Sequence, residues 1–398
     1  MTAILPGAVI GFLGGGQLGR MAAMAARSLG YGVVVLDPDP RCPASAVADG
    51  VVTAPFSDAD AVTALAERVQ VLTIEIEQVS VPGMRRAAAR IPVRPGPDVV
   101  EIIQDRSRQK AWLAHAGAPV GPWRPAGSAR EVAAAVRALG RSFVKACTGG
   151  YDGRGQAELV EPAGAAEAWE SLGSAPVVVE GALPLAAELS VLVARRPSGE
   201  IAVYPPALNH HQARILDWSV LPAPLAPAVA RRAAEIATTV ARALMLEGIL
   251  AIEMFLLGDG QLLVNELAPR PHNTFHATEL ACATSQFEQL VRAICDLPLG
   301  DAHALNPAAI VNLLGDLWTR VGTPAYEAAL AVPGVHLTLY GKTDPRPGRK
   351  MGHLTAVGAS PEEAVARVRR GEAALQRAEA RVLDASALER VRSITQPR

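Results

Sequence analysis

Glu253 and Glu266 lie in two apolar segments, 248–257 and 261–267, that flank Gly258-Asp259-Gly260. Two such runs around a Gly-Asp-Gly signal predict a β-hairpin. With Asp259-Gly260 as its two-residue turn, Glu253 falls directly opposite Glu266, and the Cβ atoms would be about 5 Å apart. Like charges that close repel unless a cation lies between them, and Mg2+ is bound by a few carboxylates together with substrate phosphates. The alternative, a solvated acidic pair, fits poorly with the apolar neighbours Leu250, Ala251, Ile252 and Leu262 to Val264. Asn265 is expected on the opposite face unless the strand bends. Arg270, His272 and Asn273 follow at once. A planar guanidinium suits carboxylate or phosphate oxygens, so this strand end gathers groups able to hold an anion beside a metal.

A second constellation is an anion clamp. Lys145 ends an apolar run and is followed by Gly149, Gly150, Gly153 and Gly155, interleaved with Tyr151, Asp152, Arg154 and Gln156. Glycines permit positive φ and close backbone approach. Successive N–H groups in such a loop cradle anions, and a lysine adds a point charge suited to phosphate. The stretch reads as a nucleotide-phosphate clamp, with a Gly-rich turn as the plain alternative. It is not a P-loop, because the chain contains no G-x-x-x-x-G-K-[ST].

Gly14-x-Gly16-x-x-Gly19 follows an apolar strand and opens a helix, and Asp37 stands 18 residues beyond Gly19. That is close to a dinucleotide fingerprint. Two readings stay open on the motif itself: an NAD-dependent oxidoreductase, or another phosphate-bearing ligand at the helix N-terminus, with Gln17 placed to touch it. The basic segment Arg346-Pro-Gly-Arg-Lys-Met-Gly-His353 could close on an anionic substrate.

These groups need elements to hold them. Apolar runs at 9–13, 33–36 and 71–76, with a helical pattern over 20–29, predict a parallel α/β sheet. A helix is expected over 106–115, a Pro/Gly-rich linker over 117–127, a helix over 129–139 and a strand over 143–145 leading into the glycine loop. Strands are expected at 177–180, 188–196 and 201–204, a long helix at 227–244 and a charged terminal helix over 361–392. The fold class is α/β followed by α+β with an antiparallel sheet. The 398 residues suit two or three domains, at roughly 150 residues each. A formal net charge of −1 argues against nucleic acid or a membrane surface as partner. Cys42, Cys147, Cys282 and Cys295 have no metal-ligand spacing and fit a reducing cytoplasm. No signal peptide and no long apolar run is evident, so the expected location is cytoplasmic.

Together these motifs resemble the ATP-grasp superfamily and, within it, the N5-carboxyaminoimidazole ribonucleotide synthase family. The resemblance rests on residues 14–21, 73–77, Asp105-Arg106, Gln109-Lys110, 148–156, Asn209 and His211, Ile215-Leu216, 265–270, His272-Asn273, 285–288 and 346–353, and it spans roughly 9–354. It implies three domains: a Rossmann-like substrate-binding domain over 1–104, a central lid with the glycine loop over 105–183, and a C-terminal domain over 184–398. It implies carboxylation of 5-aminoimidazole ribonucleotide by ATP and bicarbonate, through carboxyphosphate, in purine synthesis. ATP would lie among Arg106, Lys145, the loop 150–156, Glu180, Gly181, Ala182, Leu183, Glu188, His211, Asn265 and Glu266. Glu180 to Leu183 would meet the adenine and Glu188 the ribose. Glu253 and Glu266 would hold Mg2+, two ions in all, with Mn2+ able to substitute.

The same resemblance assigns the ribonucleotide to Gln17, Leu18, Glu75, Tyr151, Arg154, Lys342, Arg349 and Lys350, with Arg349 and Lys350 on its 5′-phosphate. Asp152, Arg270, His272, Asn273 and Lys350 would be catalytic, Asp152 at the exocyclic amine and Arg270, His272 and Asn273 at bicarbonate and its phosphorylated form. A homodimer is implied, with the product passed to a separate mutase. Two departures stand out. Thr274-Phe275-His276-Ala277 replaces the usual Ser-Gly-His-Trp, and Gln78 replaces an asparagine. Phe275 is expected to alter the geometry of the bicarbonate site. The oxidoreductase reading accounts for only the first 40 residues, and the 150–155 and 346–350 sequences disfavour a sister ligase using another acid.

Overall fold

The computed structural model describes residues 2–149, 155–212, 214–377 and 389. Gly150, Tyr151, Asp152, Gly153 and Arg154 lie outside the described residues, as does the terminal segment beyond 377 apart from residue 389. The helix expected over 361–392 is described as Pro361–Leu375.

Four parallel strands open the chain: β1 (Val9–Leu13), β2 (Gly32–Asp37), β3 (Gly50–Thr53) and β4 (Val71–Ile74), in the order β3-β2-β1-β4. Side chains alternate across such a sheet, and both faces of β1, β2 and β4 are buried, so those strands read as unbroken apolar runs. Ile10, Phe12, Val33, Val35 and Val71 share one cluster with the helix Gln17–Ser28. Val34, Leu36, Leu72 and Ile74 share another with the helices Ala59–Ala66 and Val81–Ala88.

The central unit is a four-stranded antiparallel sheet, β5 (Trp123–Ala126), β6 (Ser142–Ala146), β7 (Gln156–Leu159) and β8 (Val177–Gly181), in the order β5-β8-β6-β7. Residues 123–126, expected as linker, are therefore a strand. Trp123 pairs with Glu180 and Ala126 with Val177 at the sheet edge. An edge strand tolerates Pro125, which has no N–H to give the ladder, and that proline concealed the strand.

Nine strands make the C-terminal sheet: β9 (Leu185–Arg195), β10 (Ile201–Val203), β11 (Ala207–Gln212), β12 (Ile215–Leu221), β13 (Gly248–Leu257), β14 (Leu262–Ala268), β15 (Ala308–Leu314), β16 (Val335–Leu339) and β17 (Lys350–Val357). The order is β14-β13-β9-β11-β12-β15-β17-β16, with β10 on β9. Helix Pro227–Ala243 joins the core of β9 through Ala233, Ile236, Ala237 and Val240. Among the described residues no helix is long and apolar enough to cross a membrane.

Candidate active site

Glu253 does pair with Glu266 across β13 and β14, but not through a two-residue turn. The Leu257 N–H bonds the Gln261 carbonyl (2.9 Å), so three residues form the turn, with Gly260 at φ +85°. Next to the turn the register is one residue off the expected one: Leu256 pairs with Leu262 and Met254 with Val264. An irregularity between Glu253 and Met254 takes up Asn265 as an extra residue and restores the Glu253–Glu266 pairing. A bulge bends its strand. Asn265 consequently reaches the carboxylate face, its Nδ2 donating to Glu253 at 3.3 Å, while its Oδ1 is buried without a protein partner.

Arg106 and His272, from two different segments, meet this pair. Arg106 opens the helix Arg106–His115, which Asp105 caps through the Arg108 N–H. Its guanidinium bonds Glu266 at 2.8 Å. His272 Nε2 lies 3.3 Å from Glu253. Burial alone would raise Glu253, but the His272 bond and the charges of His272, His211 and Arg106 hold its carboxyl well below the usual range. One helical turn after Arg106, Lys110 reaches Glu180 at 3.4 Å, and Lys145 reaches the other oxygen of Glu180 at 2.7 Å. Burial opposes the Glu180 charge, yet Lys145, Lys110 and Arg106 outweigh it and bring its pKa to about 2. His211 Nδ1 lies 3.2 Å from Glu188. Burial depresses that histidine, and the Glu188 bond more than compensates.

Arg270 pairs with Glu77 at 2.8 Å. Burial works against its charge, and Glu77, then Glu75 and Glu266, sustain it. The ion pairs Lys145–Glu180, Arg106–Glu266 and Arg270–Glu77 lie near enough for the charge of Glu180 to bear on Arg106 and that of Glu266 on Arg270. Lys342 Nζ donates to the Lys350 carbonyl (2.8 Å) and Arg349 to the Asp344 carbonyl (2.7 Å), which folds the basic loop on itself. Lys350 carries charge close enough to bear on His211.

The first glycine turn resolves the dinucleotide question. The N–H groups of Gly16 and Gly19 donate to Glu75 at 2.7 and 3.0 Å, and that of Gly15 donates to Asp37 at 2.9 Å. A Cβ on Gly16 would stand 2.7 Å from the Glu75 carboxylate, and one on Gly15 would stand 2.4 Å from Cys42 Sγ. The glycines make room for protein groups, and an internal carboxylate takes the N–H donors that a pyrophosphate would need. Burial raises the Glu75 pKa to about 7 against the two N–H bonds.

Several other expected residues are placed as follows. The Leu18 side chain is buried in the core rather than lining a surface. The N–H groups of Gly181 and Ala182 are bonded to the Pro122 and Arg141 carbonyls. Phe275 does not crowd the site: its ring is fully buried, edge-on to Tyr204 with centroids 6.3 Å apart. Its φ is not among the positive ones, so the backbone there needs no glycine. Sequence reasoning left Lys110, Glu77, Gln109 and Asn312 without roles. Lys110 is 3% exposed, and its spacing of four from Arg106 on one helix was the available signal. Gln109 Oε1 accepts from the Leu267 N–H at 3.0 Å, tying that helix to β14.

Among the described residues no group of three His, Cys, Asp or Glu side chains forms a metal cluster. The set on offer is two carboxylates and the unpartnered Asn265 oxygen, all hard oxygen donors, and this suits an ion that completes its shell with phosphates and water. Family models match in sequence along the chain: a ribonucleotide synthetase preATP-grasp domain over residues 8–104, an ATP-grasp domain over 111–287 and a phosphoribosylaminoimidazole carboxylase C-terminal domain over 308–367. The N5-carboxyaminoimidazole ribonucleotide synthase of Bacillus subtilis is 41% identical, covering 90% of this chain and 94% of that protein. The Brucella melitensis protein of the same name is 40% identical, covering 89% and 98%. The crystal structure of the Aspergillus clavatus N5-carboxyaminoimidazole synthase, in complex with ADP and 5-aminoimidazole ribonucleotide, is 32% identical with a TM-score of 0.86, covering 93% and 99%. On the sequence, the fold and the charged cleft together, the chain belongs to the N5-carboxyaminoimidazole ribonucleotide synthase family of ATP-grasp ligases.

Proposed function

We propose that the protein carboxylates 5-aminoimidazole ribonucleotide on its exocyclic amine, using ATP and bicarbonate, to give N5-carboxyaminoimidazole ribonucleotide. The observation that carries this reading is the bulged hairpin, which turns Glu253, Asn265 and Glu266 to one face beneath Arg106, His272 and the paired lysines. Glu253, Glu266 and the Asn265 oxygen would hold Mg2+, which when bound neutralises charge on the ATP phosphates. Lys145 and Arg106 approach the same phosphates as cations. Lys110, buried behind them, holds Glu180 and with it the Lys145 ammonium in place.

A bicarbonate oxygen attacks the γ-phosphorus as the bond to ADP breaks, giving carboxyphosphate. Arg270, fixed by Glu77, and His272 with Asn273 orient the acid for that in-line attack. The amine nitrogen then takes the carboxyl carbon and inorganic phosphate departs, the amine proton leaving to solvent or to a phosphate oxygen. Water must be excluded while carboxyphosphate exists. The central unit, with its own small core of Val132, Val136, Val144, Val177 and Val179, is the part able to close as a lid. Arg349, Lys350 and Lys342 would take the ribonucleotide phosphate, and Gln17 and Glu75 its sugar. The same reading includes a homodimer in the cytoplasm and a separate mutase that receives the product.

The decisive experiment measures ADP and phosphate release from MgATP with bicarbonate, with and without the ribonucleotide. Strong stimulation by the ribonucleotide, with a carboxylated product, is expected. No ADP under any condition overturns the reading.

A further inference from the structure

Close to the proposed acid site, three buried atoms have no protein partner: Oδ1 of Asn273 and Nε2 of both His276 and His353. The residues are 9%, 1% and 0% exposed. The three residues and Asn312 connect into a closed set of contacts. Asn273 and His276 are three apart across the 3-10 turn Asn273–Phe275, where the His276 N–H bonds the Asn273 carbonyl at 3.2 Å. Side chains at that spacing eclipse. His276 stacks on His353 with centroids 4.6 Å apart. His353 on β17 is the direct cross-strand partner of Asn312 on β15. Asn312 closes the set by accepting from Asn273 Nδ2 at 3.0 Å.

The hydrogen-bond partners fix the polarity of Asn273 Oδ1 and His276 Nε2. The Leu216 carbonyl can only accept, so Asn312 gives it Nδ2 (2.8 Å) and turns Oδ1 to Asn273. Asn273 must then donate through Nδ2, and its free Oδ1 is an acceptor. On the other side the His272 N–H takes Gln286 Oε1 (2.8 Å), so Gln286 Nε2 donates to the His272 carbonyl (3.0 Å) and to His276 Nδ1 (3.1 Å). His276 therefore carries its proton on Nε2. The phenol of Tyr340 stands 2.9 Å from His353 Nδ1 and can donate or accept there; with the phenol donating, the proton of His353 is on Nε2 as well. Burial drives His276 far below its usual pKa and His353 to about 3, so both rings stay neutral. With Tyr340 donating, this connected set carries two unmet donors and one unmet acceptor, which matches a water that accepts twice and donates once.

We propose that Asn273, His276, Asn312 and His353 enclose one ordered water and act as a positioning unit that sets the Asn273 amide, and through the Gln286 bonds the His272 backbone, beside the acid. The positioning half rests on the reading of Arg270, His272 and Asn273 as the holders of bicarbonate. The water half does not.

A high-resolution crystal structure of the full chain with MgADP tests the water, with a single density peak expected within about 3.2 Å of both Nε2 atoms and Asn273 Oδ1. No peak, or protein partners on those atoms, overturns it. Kinetics test the positioning. In His353→Phe the bicarbonate KM should rise about 10-fold or more, with the ATP KM and ADP affinity unchanged, and His353→Gln, which keeps an N–H donor, should recover part of the loss. An unchanged bicarbonate KM in a folded His353→Phe protein overturns the positioning role, and if that variant does not fold, Asn312→Ser gives the same comparison. Wild-type ATP turnover that ignores bicarbonate would instead sink the acid assignment, leaving the density to judge the water.

Discussion

At the scale of single residues, Glu266 and Glu75 are both carboxylates near one cleft, and their surroundings assign them different work. Glu266 is partly open and bonded to Arg106, a setting that leaves its carboxylate face accessible to a metal. Replacing it with alanine should lower ATP hydrolysis by about 10²-fold or more, the scale of a few kcal/mol of lost phosphate charge neutralisation, with the melting temperature nearly kept. ADP release measured beside a thermal melt checks this, and wild-type turnover would remove the metal role. Glu75 is held by backbone donors in a poorly solvated turn and is raised to about 7. A carboxyl raised above its unfolded value, about 4.3, stabilises the fold most below that pH and loses the contribution as pH climbs through 7. Wild type should therefore lose at most about 3 kcal/mol between pH 5 and 8 that Glu75→Gln does not lose. Urea unfolding at both pH values makes the comparison, and equal pH slopes in the two proteins would contradict it.

At the scale of elements, the hairpin shows what the sequence disclosed and where it stopped. The alternation of Glu253 and Glu266 with apolar neighbours made both strands and their pairing legible. The turn was misjudged by one residue, and the bulge at Asn265 cancelled the error, since nothing local in Val264-Asn265-Glu266 announces a bulge. The edge strand β5 was hidden by Pro125 for a related reason: its pairing depends on β8, more than 50 residues later. Long-range partners decide both cases, and periodicity cannot see them. The bulge has a sharp consequence. Deleting Asn265 shifts Glu266 by one position, and a one-residue slip turns every following side chain to the other face of the strand. ATP hydrolysis should vanish in the deletion. Gly260→Ala, which forces a side chain into φ +85° at the turn, should cost about 1–2 kcal/mol yet keep activity, because the bulge lies between the turn and the carboxylates. If the deletion retains turnover, the bulge does not set the site.

Across the whole molecule, the first and last units are fused while the central one stands apart. Ile10, Phe12, Val33 and Val35 of the parallel sheet share a single apolar cluster with Ile249, Ala251, Leu290 and Ile294, whereas the central sheet keeps a separate core. One wall of the cleft, carrying the carboxylates and the basic loop, therefore belongs to the fused units, and the other, carrying Lys145, belongs to the sheet with its own core. That division was only partly legible: the parallel sheet and the later hairpins follow from strand patterning and the three units from the family resemblance, but the shared cluster joins residues more than 200 apart in sequence. Arg94 pins the fused wall. It lies 3% exposed just past Val93, which bridges to Leu72, and it bonds both Glu247 at 2.8 Å and the Ile294 carbonyl. Arg94→Met should leave Glu247 without its cation and an acceptor unsatisfied, costing about 3 kcal/mol. Adding Glu247→Gln should recover part of that loss, since the stranded charge goes with it. Denaturant midpoints of the wild type, the single variants and the double variant measure the coupling. Strictly additive effects would mean that the apolar cluster alone holds the two units together.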